Sequence, residues 1–186
     1  MRPKTKGRKV KAKPLPIEVT KEEFRRIQKT LIDKPKKLKY FMANLLAWGS
    51  GLRISEVCNL QQRDFNFTDG SLRINMGKNS KDRIVSIPKG FQRYHLKYIP
   101  IGVQPRALQK EFIKACIESG VKKEKPKVHF HSLRHGFATE CVRSGMKLEY
   151  LQLLLGHQDL ATTTIYINLA PMEAIDQYKE KFLSRE

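Results

Sequence analysis

The chain has 186 residues, with 37 Lys and Arg against 18 Asp and Glu, giving a formal net charge of +19 and a pI near 10.0. That length suits one domain with a real hydrophobic core. There is no apolar leader and no uncharged run of membrane-spanning length, so the sequence reads as soluble, unsecreted and without a membrane partner. So large a basic excess points to a polyanionic partner; nucleic acid, a ribosomal-type partner and a membrane surface all share that signature.

Residues 1–16 read as a flexible basic arm. Arg2, Lys4, Lys6, Arg8, Lys9, Lys11 and Lys13 come with no acid and almost no apolar side chain, a composition that cannot order itself by burial. Such an arm is suited to tracking phosphates, and its bland alternative is a solvated tail. Next, Thr20-Lys-Glu-Glu23 forms a capping-box pattern ahead of Phe24, Ile27 and Leu31, which predicts a helix. A second helix is expected from about Lys37 to Trp48, ended by Gly49 and Gly51, and a short third from Ser55 toward Leu60. Between 64 and 88 the period drops to two. Leu72, Ile74 and Met76 alternate with polar residues, Gly77 to Asp82 turns, and Val85 and Ile87 alternate again. That is a hairpin, with a further strand near Phe65–Phe67. Pro105 opens a helix carrying Leu108, Phe112, Ile113, Cys116 and Ile117, and Lys122–Lys127 reads as a loop. From Ser132 one helix runs to Gly145 and another to Gly156. The β-branched stretch Thr162–Ile167 is a poor helix former, and Met172, Ile175, Tyr178, Phe182 and Leu183 make a last amphipathic helix. The fold class is therefore α+β, mainly α, with a small three-stranded antiparallel sheet near 64–88. Cys58, Cys116 and Cys141 are scattered, without C-x-x-C spacing, and read as small core residues in a reducing compartment.

Cutting a phosphodiester with side chains alone has definite requirements. Two arginines can neutralise the non-bridging oxygens bidentately at any pH. A lysine or histidine can protonate the leaving oxygen, and a side-chain nucleophile can hold the bond energy covalently. This set occurs in the chain. Arg53 lies in Gly51-Leu-Arg-Ile-Ser-Glu56, and Lys78 sits at the hairpin tip. His131 and Arg134 share one helix face in His131-Ser-Leu-Arg-His135. His157 follows Gly156, and Tyr166 comes nine residues later. Taken singly, each has a duller reading: Arg53, Arg134 or Lys78 as a surface cation, and Tyr166 as a core aromatic like Tyr150 and Tyr178. Their conjunction is what points to chemistry.

With these motifs in order, residues 17–183 resemble the tyrosine recombinases, the phage-integrase family; G-L-R-x-S-E, H-x-L-R-H and L-G-H followed by Thr-Thr-x-x-Tyr carry the resemblance. It implies that fold for 17–186, with a C-terminal docking helix at 171–183. It makes Arg53 and Arg134 the phosphate clamp, Lys78 the proton donor to the leaving 5′-oxygen, and His131 the assistant to proton transfer from tyrosine. It makes His157 a hydrogen bond to the scissile phosphate and Tyr166 the nucleophile of a 3′-phosphotyrosine bond. Glu56 and His135 are implied to be supporting residues. Lys81, a rival to Lys78 in the same turn, and Arg83 are expected to contact DNA with the arm. The resemblance implies double-stranded DNA as partner, no metal and no cofactor, and assembly on DNA as a dimer to tetramer through the C-terminal helix. A cytoplasmic, nucleoid-associated protein is expected, of the kind a virus, plasmid or other mobile element encodes.

Relatives usually carry a helical domain ahead of the catalytic one, and only about 16 residues precede the first helix here. The expectation is a minimal single-domain form in which the basic arm partly substitutes for that domain, a fragment, or a mobile-element variant. Two competing functions remain at this stage: a type IB topoisomerase, which uses the same chemistry to relax supercoils, and a catalytically silent DNA-binding protein of the same fold.

Overall fold

The computed structural model describes residues 15–75 and 82–156, together with Thr163 and Tyr166. The arm cations Arg2 to Lys13, the turn bearing Lys78 and Lys81, His157 and the C-terminal helix 171–183 lie outside the described residues.

Helix α1 (Lys21–Ile32) starts as the capping box predicts: the Thr20 side chain accepts from the Glu23 amide, and the Glu23 carboxylate accepts from the Thr20 amide at 2.8 Å. Helix α2 (Leu38–Ser50) does not stop at Gly49. It runs on to Gly51, whose left-handed φ of 68° ends it. Gly49 is needed for a different reason, because a Cβ there would lie 2.4 Å from the Pro88 side chain. Helix α3 (Ile54–Asn59) begins earlier than expected, with Arg53 and not Ser55 at the N-cap. The Glu56 carboxylate closes that end by accepting from the Arg53 amide at 2.7 Å.

Strands β1 (Phe65–Asn66), β2 (Ser71–Ile74) and β3 (Arg83–Ser86) form an antiparallel sheet in that order, with Leu72 opposite Val85 and Ile74 opposite Arg83. Opposed residues share a face, so Arg83 stands on the core side with Leu72, Ile74 and Val85. A 3-10 stretch, Arg93–Tyr98, was not anticipated from the sequence. Helix α4 (Pro105–Glu118) buries Leu108, Phe112 and Cys116 but leaves Ile117 exposed. The segment read as a loop contains one helical turn, α5 (Val121–Glu124). Helices α6 (His131–Arg143) and α7 (Leu148–Leu155) follow, the latter ended by Gly156 at φ 63°. Tyr150, grouped with core aromatics by its type, is 59% exposed.

The molecule is thus mainly helical with one small sheet, as expected. Among the described residues no helix is long and apolar enough to cross a membrane. The main core joins α1, α2, α4, the sheet and the start of α6. A smaller cluster of Ala138, Leu151, Leu155 and Tyr166 fills the angle between α6 and α7. Helix α6 is fixed from its other side. The Val19 amide donates to the Ser132 carbonyl at 3.0 Å, and Trp48, stacked on Phe24, donates to the Val19 carbonyl. Gly136 permits this approach, since a Cβ there would sit 2.1 Å from the Val19 oxygen.

Candidate active site

The starts of α3 and α6 converge with β3 on one carboxylate, that of Glu56, and the ends of α2 and α7 hold the arginines around it. Its Oε1 accepts from Arg53 Nη1 and Arg83 Nη1, both at 2.9 Å. Its Oε2 accepts from the Arg53 amide at 2.7 Å and Arg83 Nη2 at 2.8 Å, with Arg134 Nη1 at 4.0 Å. Burial pushes the Glu56 carboxyl up, but hydrogen bonds and charge from Arg83, then from Arg53, outweigh it and hold the group at about 2. Among the described residues, three guanidiniums face this one carboxylate.

Arg134 is fully buried. Its fork is held by backbone, with Nη1 donating to the Gly51 carbonyl at 2.7 Å and Nη2 to the Leu155 carbonyl at 2.5 Å. These are helix-end carbonyls of α2 and α7, which have no partner inside their own helices. Burial, and next the charge of Arg53, lower Arg134 to about 9, which still leaves it cationic at neutral pH. The Arg53 side chain is less enclosed, at 31% exposure, and so is the arginine that solvent or an arriving anion meets.

His131 and His135 stand one turn apart on α6, ring edge to ring face, with centroids 4.7 Å apart. Burial first, then the charges of Arg134, His129 and Arg53, push His131 down to about 4, so it is a neutral imidazole able to accept a proton. The Tyr166 hydroxyl lies 3.0 Å from Nδ1 of His135, and its ring is 1% exposed. Burial raises the phenol above its ordinary value, opposed by the fields of Arg134 and Arg53.

This arrangement coincides with what comparison with known proteins finds. Residues 18–173 match the Phage integrase family. The chain belongs to that family. It is 36% identical over 168 residues to a tyrosine recombinase XerA of Pyrococcus furiosus, covering 83% of this chain and 58% of the relative. It is also 36% identical over 148 residues to a tyrosine recombinase of Thermosipho africanus, covering 73% and 51% respectively. The chain therefore spans about half to three fifths the length of these relatives. In fold it is similar to a crystal structure of XerA recombinase, with a TM-score of 0.73 at 22% identity over 91% of this chain and 66% of that one. It is also similar to XerH site-specific recombinase bound to a palindromic difH substrate, with a TM-score of 0.71 at 20% identity over 89% and 53%.

Within this integrase-family domain, the structure brings together Arg53, Glu56, His131, Arg134, His135 and Tyr166 of the residues expected from sequence. Two details differ from expectation. Arg83, expected on DNA, is turned inward and spends its guanidinium on Glu56 and on the Leu154 carbonyl, the latter at 2.7 Å from Nε. The signal was available in the period-two pattern, because Arg83 has the parity of Val85 and Ile87. His135, expected only to orient its helix, is the histidine in hydrogen-bond contact with Tyr166. Sequence spacing could not separate it from His131, since both fall on the same side of α6.

Proposed function

We propose that the protein cleaves and rejoins duplex DNA through a 3′-phosphotyrosine intermediate, as a site-specific recombinase or integrase. The observation that carries this is the gathering of Arg53 and Arg134 around Glu56, with the Tyr166 hydroxyl hydrogen-bonded to His135, one residue along from Arg134. A phosphodiester anion seated on Arg53 and Arg134 has its non-bridging oxygens neutralised, and the same guanidiniums stabilise the extra charge of the pentacoordinate transition state.

In the reaction so read, the Tyr166 Oη–phosphorus bond forms as the phosphorus–O5′ bond breaks. The phenolic proton passes to His131, which burial and then the surrounding charges keep unprotonated. Lys78 protonates the departing 5′-oxygen, and His157 hydrogen-bonds a non-bridging oxygen. Attack by a 5′-hydroxyl on the phosphotyrosine reverses the step, so the bond energy is conserved without ATP and charge is neutralised by arginine in place of a metal. In this reading residues 17–186 form the catalytic domain. The cations of residues 1–13 and Lys81 hold phosphates, and helix 171–183 joins protomers on double-stranded DNA. XerH in complex with difH and lambda integrase as a dimer on a core site support DNA as the partner.

The test is a nicked suicide duplex from which the cleaved flank diffuses away, trapping the covalent adduct. Wild type should give an adduct stable to denaturing electrophoresis, and Tyr166→Phe should give none. A folded, DNA-binding protein that never forms the adduct would refute the proposal. Supercoil relaxation without two-site exchange would move it to topoisomerase chemistry.

A further inference from the structure

We infer that Arg83 is a positioning residue for strand cleavage, aligning Arg53 through the Glu56 carboxylate and bracing the end of α7. The inference rests on the recombinase reading above and adds to it a residue that touches no DNA.

Each Glu56 oxygen is shared between Arg83 and Arg53. Oε1 takes one guanidinium nitrogen from each, and Oε2 takes the Arg53 amide and the second Arg83 nitrogen. The Arg83 fork therefore sets the plane of the carboxylate, and that plane sets where the Arg53 guanidinium points. The third donor, Nε, holds the Leu154 carbonyl, while Arg134 holds the next carbonyl, Leu155. Two arginines on different elements thus satisfy successive carbonyls at the last turn of α7, just ahead of His157 in sequence. Gly156 makes room for this, since a Cβ there would come within 3.0 Å of Arg83 Cδ and 3.3 Å of its Nη1. Arg83 also follows the turn containing Lys78 in the chain. One side chain therefore ties β3 to the start of α3 and to the end of α7.

A buried ion pair that only stabilised the fold would need charge and volume, which lysine supplies. Alignment needs the planar fork, whose three nitrogens span Glu56 and the Leu154 carbonyl at once, a reach that the single ammonium nitrogen of lysine does not have. The experiment compares wild type, Arg83→Lys and Arg83→Gln on a pool of nicked duplexes with randomised flanks, at a temperature where circular dichroism shows each protein folded. It measures DNA affinity by filter retention and the single-turnover rate of adduct formation at saturating DNA. Displacing a reacting group by about 1 Å costs roughly 10²-fold in rate. The expected result is that both variants bind DNA within about twofold of wild type yet form adduct about 10²-fold more slowly. An Arg83→Lys rate within about threefold of wild type would overturn the inference while leaving the recombinase reading intact. So would a loss confined to DNA affinity. If wild type forms no Tyr166-dependent adduct, the recombinase reading fails first, and the two failures are thereby told apart.

Discussion

Replacing Glu56 by glutamine keeps the shape of the side chain and removes the carboxylate that, among the described residues, faces three arginines. Its carboxyl sits at about 2, against an ordinary 4.5. At about 1.4 kcal/mol per unit, that difference contributes about 3 kcal/mol of folding stability at pH 7. The same figure follows from the ~3–5 kcal/mol lost when one partner of a buried ion pair is deleted. Because the folded value is depressed, the contribution is complete above about pH 4.5 and fades as pH falls through about 2. Urea denaturation of wild type and Glu56→Gln should show a gap of about 3 kcal/mol at pH 7, shrinking to about half of that by pH 3. In a thermal melt at pH 7 the gap should appear as about 6–12 °C. A loss under about 1 kcal/mol at pH 7, or a gap indifferent to pH, would show that Glu56 is not the charge that holds the three guanidiniums together.

Arg134→Lys should abolish adduct formation while changing DNA affinity little, measured by suicide-substrate trapping and filter binding, because many other cations hold the duplex. It should also cost about 1–3 kcal/mol in urea, since one ammonium cannot serve both the Gly51 and Leu155 carbonyls. His135→Ala should destabilise the fold by about 1–2 kcal/mol, by leaving the Tyr166 hydroxyl buried without that partner. The loss should largely disappear in a Tyr166→Phe background, and a double-mutant cycle that adds instead would separate the two residues. Gly136→Ala should cost about 3 kcal/mol or more in the same assay, because its methyl meets the Val19 carbonyl and not a movable side-chain tip.

Much of the fold was legible because its signals are local. The Thr20 capping box, the alternation of Leu72 and Ile74 with Val85, and the glycine stops at Gly51 and Gly156 each act within a few residues. What escaped depends on contacts far apart in sequence. Gly49 looks like a helix stop until Pro88 is found against it. The candidate site divides the same way. Its residue types could be read from three short motifs. That His135 holds the Tyr166 hydroxyl follows only from how α6 packs, whereas the inward face of Arg83 is signalled by its parity with Val85 and explained only by Glu56. A periodic reading of polar as outward fails at Arg83 because Glu56 compensates its charge.

The small cluster between α6 and α7 gives Tyr166 a second occupation. Its ring completes a patch of packing with Ala138, Leu151 and Leu155, while its hydroxyl is the group proposed to attack phosphorus. A side chain that is 1% exposed has to surrender those contacts before it can meet a phosphate in solution. Packing strength and readiness to react are therefore opposed at this residue. Tightening the cluster deepens the well the ring must leave, and loosening it makes the ring available at the expense of the fold. Substitutions at Leu151 or Ala138, which lie off the arginine cluster, become dials on that balance.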